Sequence, residues 1–117
     1  RAYQGIMEHL EEMVFTLDEV GRFLMVNKAL CRFLNRSRSS LLGTPVTDIA
    51  SPEDQELMFS VVVSKLNGNH GWSKHIYRLA NGKGVEVISS VMVANGLKRI
   101  LGVAVPRDRC RPEDRSP

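Results

Sequence analysis

Two cysteines, Cys31 and Cys110, and three histidines are the side chains of this 117-residue chain best suited to nucleophilic, redox or metal chemistry. The cysteines lie far apart with no Cys-x-x-Cys spacing, which argues against a disulfide scaffold or a structural zinc site. Cys31 sits in Ala29-Leu30-Cys31-Arg32-Phe33-Leu34-Asn35. A redox-sensing thiol there would need exposure and a lowered pKa. Arg32 is adjacent in sequence, but residues at i and i+1 do not face each other on a helix. A buried, inert thiol is therefore the expectation. His70 falls in a loop and His75 in a strand. None of these groups stands at a recognisable catalytic spacing, so neither a catalytic residue nor a metal site is expected. Ser89 is the remaining polar group of interest. A hydroxyl within a valine-rich strand must find a partner, and Tyr77, water or a ligand would serve.

The elements that position these groups follow from periodicity. Ile6, Leu10 and Met13 recur at i, i+4 and i+7, a narrow apolar stripe on a helix over residues 3–13. Phe15 and Leu17 alternate with Thr16, as in a strand. Asp18 to Gly21 supplies a turn, and Phe23 to Val26 a second strand. Asn27 is the expected N-cap of a helix over 28–34, with Leu30, Phe33 and Leu34 inward. A helical turn at Ser39 to Leu42 stops at Gly43. Ser51 as N-cap, Pro52 at the first helical position and Asp54 completing a capping box launch the longest helix, which ends at Asn67-Gly68. Leu57, Met58, Val61, Val62 and Leu66 form its apolar face. Runs at 72–79, 85–94 and 97–105 are strands joined by Asn81-Gly82 and Asn95-Gly96, both expected to form type I′ turns. Val85, Val87, Val91 and Val93 share a face of the middle strand. The fold class is α+β: a five-stranded antiparallel sheet with one face covered by short helices and one longer helix, plus an N-terminal flanking helix.

Composition sets the outer bounds. Hydrophobic residues make up 43% and charged residues 25%, which fits one globular domain. The net charge is +3, but the arginines of 107–115 are mixed with Asp108, Glu113 and Asp114. No basic stripe is interleaved with aromatics, so direct nucleic-acid binding is not expected. No apolar run approaches the ~20 residues that cross a bilayer. The thiols suit a reducing, cytoplasmic location. The expected organisation is a linker or dimerisation helix over 1–12, a domain over 13–108 and a polar linker tail over 109–117, within a longer protein.

Ordered along the chain, several short motifs resemble those of the PAS family. Asp18-x-x-Gly21 followed by Val26-Asn27-Lys28-Ala29-Leu30 is similar to the family's DxxGxxxxxNxAF, with Leu30 for the usual Phe. Leu41-Leu42-Gly43 resembles ELLG, Ser51-Pro52-Glu53-Asp54 resembles HPED, and Tyr77-Arg78-Leu79 with Asn81-Gly82 resembles YRxxxxDG. The likeness spans about Met13 to Asp108. It implies a sensory and interaction module of a signal-transduction protein, such as a two-component or transcription-regulating system. Such a module binds a small ligand or a partner and relays a conformational change to an output domain. The alternative is a ligand-free module that homodimerises through Ile6, Leu10 and Met13.

The resemblance also bears on cofactors. Cys31-Arg32-Phe33-Leu34 looks like the NCRFLQ signature of the flavin-binding light-oxygen-voltage subfamily. Aligned from Asn27 to Gly43, however, the photoreactive position falls on Val46. The positions matching that subfamily's flavin-binding amides are Tyr77 (or Ile76), Val87 and Ala104, and burying flavin's polar edge against them would cost about 1–3 kcal/mol per unpaired group. Haem-binding members take an axial histidine from the long helix, which here has none. Flavin and haem are therefore not expected; either an unknown small molecule or no ligand is. Strand alternation and the alignment give the pocket candidates Phe15, Leu17, Met58, Val62, Tyr77, Val87, Ser89 and Val91. The family often ends its last strand in RDIT. Here only Arg107-Asp108 remains, and Pro112 disfavours an immediately continuous helix.

Overall fold

Asp18 begins the first hairpin. Its Oδ1 accepts the backbone N–H groups of Val20 and Arg22, while Gly21 takes φ +85°, a conformation that glycine adopts without a Cβ clash. The turn joins β1 (Met13–Leu17) to β2 (Phe23–Val26). The computed structural model describes residues 12–68 and 71–107. The expected helix over 3–13, with Ile6 and Leu10, and the expected tail over 109–117 lie outside the described residues. Met13 is a correction: it opens β1 and is buried against the core, not set on a helical stripe. The cause is its alternation with Phe15 and Leu17, which puts all three on the inward side of one strand.

After β2 the chain enters α1 (Lys28–Leu34). Asn27 caps it, its Oδ1 accepting the Leu30 N–H at 3.1 Å. The same oxygen accepts the Val14 N–H, and Nδ2 donates to the Glu12 carbonyl. One fully buried side chain therefore starts a helix and ties it to β1. Leu30 and Leu34 are buried and Phe33 packs against the core from its edge. A short α2 (Arg38–Leu41), capped by Ser37, leads to Gly43 at φ +84°. Two 3-10 turns, Val46–Ile49 and Pro52–Asp54, then deliver the chain to α3 (Gln55–Leu66).

The start of α3 differs from the expected capping box. The Ser51 side chain makes no cap bond. The Asp54 carboxylate turns instead to the sheet, where Oδ2 accepts the Arg78 N–H at 2.6 Å. Ser51 N–H also donates to the Arg78 carbonyl, and Ala80 N–H to that of Ile49. Long-range backbone groups thus outcompete the local cap.

β3 (Ser73–Arg78), β4 (Gly84–Ala94) and β5 (Leu97–Arg107) complete an antiparallel sheet of order β2-β1-β5-β4-β3. Asn95 and Gly96 have φ of +53° and +78°, as a type I′ turn requires. The turn at Asn81-Gly82 differs. Gly82 alone is left-handed, and its N–H donates to the Leu79 carbonyl. The Asn81 side chain is engaged elsewhere, accepting the Lys83 N–H and donating to the Phe33 carbonyl at the end of α1.

Register fixes the inward face. Ser73, His75 and Tyr77 stand opposite Ser89, Val87 and Val85. Val87, Ser89 and Val91 stand opposite Ala104, Gly102 and Ile100, and these face Met13, Phe15 and Leu17 of β1. Opposed residues share a face, so these strands build one floor beneath the helices. Among the described residues no helix is long and apolar enough to cross a membrane.

Candidate functional site

The floor is uneven at its centre. Gly102 has no side chain, and the Phe15 ring lies across it, meeting Phe23 edge to face at 5.7 Å. Tyr77 and Val85 rise at one end, and Val87 and Ser89 continue along β4. The roof is α3. Met58 is its only fully buried apolar side chain; Val61, Val62 and Leu66 are half-buried and Leu57 is 40% exposed, so Leu57 leaves the expected inward face.

Beneath α3 lies a cavity of about 50 Å³. Seven of the eight pocket candidates from the sequence line it: Phe15, Leu17, Met58, Val62, Tyr77, Val87 and Ser89. Val91 packs against the core without lining the cavity, and Val93, farther along β4, is 63% exposed. Polar groups reach the lining only from Tyr77, Ser89 and Lys65. Burial pushes the Tyr77 phenol well above its ordinary value, reinforced by the Asp54 carboxylate, so Tyr77 keeps its proton and can donate. The register sets Tyr77 opposite Val85 and Ser73 opposite Ser89. Tyr77 is therefore four residues along the strand from Ser89's neighbour and does not serve as its partner. The row crossing the sheet at Val87 is His75, Val87, Ala104 and Met13.

Lys65 is the residue that the sequence reading missed. It is 1% exposed, and its Nζ donates to the carbonyls of Gly71 at 2.6 Å and Ser89 at 2.9 Å. It thereby fastens the end of α3 to the entry of β3 and to the β4 residue paired with Ser73, at the end of the pair away from its turn. Burial lowers its pKa. The signal was available: positions 58, 62 and 65 follow i, i+4 and i+7, and a lysine on that stripe faces inward. From β5, Lys98 Nζ donates to the Leu66 carbonyl at 2.7 Å, satisfying an end-of-helix acceptor.

On the other side of Lys65 and Val61 opens a second, more polar cleft of about 230 Å³. It is lined by Leu57, Ser60, Val61, Ser64, Lys65, Ser73 and His75. Burial, and then the charge of Lys65, hold the His75 imidazole below its ordinary value of 6.5. His75 also stacks on Tyr77, ring centroids 6.1 Å apart. Cys31 is half-buried against the core. Among the described residues no group of His, Cys, Asp and Glu side chains could hold a metal ion. Cys110 and His70 lie outside them.

A family model described as "PAS fold" matches residues 1–103. Among solved structures, the PAS domain of an HTR-like protein from Haloarcula marismortui superposes with a TM-score of 0.76 at 21% identity, covering 91% of this chain and 89% of that one. The PAS domain of a two-component sensor histidine kinase gives 0.72 at 24% identity, covering 91% and 94%. That of nitrogen regulation protein NR(II) from Vibrio parahaemolyticus gives 0.71 at 11% identity, covering 92% and 99%. At these identities the structural likeness is one of fold. No curated protein matches the sequence.

Proposed function

The chain belongs to the PAS family, and we propose that it works as the sensory module of a larger signalling protein, taking a small ligand under α3 and passing the change in that helix to an output domain. One observation carries this reading: α3 is fastened at both ends over a cavity that its middle does not fill. At its start, Asp54 holds the Arg78 N–H; at its end, Lys65 and Lys98 tie it to the sheet.

The volumes supply the coupling. A cavity of about 50 Å³ admits water-sized occupants, whereas sites for organic ligands span about 300–1,000 Å³. A larger guest therefore enters only if the middle of α3 lifts while its ends hold. Empty and occupied states then differ in the position of α3, and the ligand's preference for the lifted state drives the shift. The apolar lining favours a mainly hydrocarbon guest, with Tyr77 and Ser89 as orienting groups. The similar structures from a sensor histidine kinase and a nitrogen regulation protein support a regulatory role with the output domain in the same chain. Two cysteines without disulfide or metal spacing suit a cytoplasmic location.

The test is a titration with indole, followed by backbone amide NMR, alongside the native mass and absorbance of the purified protein. Shifts concentrated on α3, β3 and β4, lost on filling the cavity with Val87→Phe, are expected. No response on those elements overturns the ligand reading. A dimer with no added small mass would then favour pairing of two copies through the segment of Ile6 and Leu10.

A further inference from the structure

The outer cleft between α3 and β3 holds hydrogen-bond donors that the fold leaves unused. Lys65 has three N–H bonds, of which two are taken by the Gly71 and Ser89 carbonyls. Both partners are neutral dipoles. No carboxylate lines the cleft among the described residues, and a buried cation without a counter-charge is costly. Ser73 Oγ is buried in the same wall with no hydrogen-bond partner. The ring nitrogens of His75 make no hydrogen bond to a described residue, its contact being the stack on Tyr77. The remaining lining is apolar at Leu57 and Val61; of its two other serines, the Ser60 hydroxyl already donates to the Leu57 carbonyl and Ser64 is engaged as well.

We propose that this cleft binds a small organic carboxylate, its oxygens accepting from Lys65, Ser73 and His75 and its short hydrocarbon tail lying along Leu57 and Val61. Charge-assisted hydrogen bonds to an ammonium are among the stronger polar contacts, and the anion supplies the charge that Lys65 lacks. The apolar wall selects a carboxylate with a tail over a bare inorganic anion. The volume of about 230 Å³ suits a molecule of a few carbons. The site is separate from the cavity under the middle of α3, with Lys65 and Val61 as the shared wall. It does not depend on that cavity taking a guest.

The test uses butyrate, its neutral isostere butyramide and inorganic phosphate against the whole chain, read by amide NMR and by the titration of the His75 ring protons. Butyrate is expected to shift the resonances of residues 60–65 and 73–75 and to raise the His75 pKa toward its ordinary value. Butyramide is expected to do neither, and phosphate to bind more weakly than butyrate. Ser73→Ala, which removes one donor, should weaken butyrate by about tenfold. Lys65→Met should abolish binding; because that variant also cuts the tie to Gly71 and Ser89, Ser73→Ala is the deciding one. Equal shifts from butyrate and butyramide, preference for phosphate, or unchanged affinity in Ser73→Ala overturns the proposal. Ala104→Leu, which narrows the inner cavity from β5 and is not paired with β3, should leave butyrate binding intact, which separates this outcome from failure of the inner cavity.

Discussion

At Gly102 the absence of a side chain makes room for an aromatic ring. A Cβ there would run into Phe15, whose ring is already braced by Phe23. Gly102→Ala should cost about 1–3 kcal/mol by overpacking, measured by urea unfolding, and adding Phe15→Leu should recover part of the loss. His75 gives a second expectation. Its folded pKa lies below 6.5 through burial and the Lys65 charge, so between the two values the unfolded chain binds more protons. Stability therefore falls as pH drops through that window. The fall in melting temperature from about pH 7.5 to about pH 5 should be smaller in His75→Gln. Phe15, Leu17 and Tyr77 were legible as inward residues because strand alternation and the family alignment together assign a face. Lys65 was not, because a lysine reads as solvated unless the carbonyls that receive it are known, and Gly71 and Ser89 meet only in the folded sheet.

Elements were legible where their signals were local. Asn27 heads α1 as its position required, but its ties to Val14 and Glu12 depend on β1 lying alongside. Asn27→Ala strands donors on two elements and should cost about 2–3 kcal/mol. Asn27→Asp, which keeps the acceptor and loses the donor, should fall between; thermal unfolding ranks the three. The two Asn-Gly corners show the limit of local reading. At Asn95-Gly96 nothing competes and both residues turn left-handed. At Asn81-Gly82 the Asn81 side chain reaches the Phe33 carbonyl across the domain, and a different turn results. The entry to α3 is another case: Ser51 to Asp54 spells a capping box, but Asp54 finds a better donor on β3.

Across the whole molecule, α3 behaves as a bar held at its ends. Lys98→Met removes the bond to the Leu66 carbonyl and should speed amide exchange over residues 61–66 while leaving β5 protected, as read by hydrogen–deuterium exchange. The α+β class and the meander were legible because turn chemistry and strand periodicity repeat along the chain. Most of the lining of the hollow beneath α3 was legible too, but its size was not, since that depends on how the ends of one helix sit on three strands. The strand order β2-β1-β5-β4-β3 has a further bearing on how the protein is made. β5, the final strand, lies at the centre of the sheet and is the partner of β1, the first. A ribosome releases the chain from its N-terminus onward, so the opening hairpin must wait, its inner edge unpaired, until nearly all of the domain has emerged. Nascent chains stopped before β5 should accordingly be the ones that chaperones bind and proteases cut.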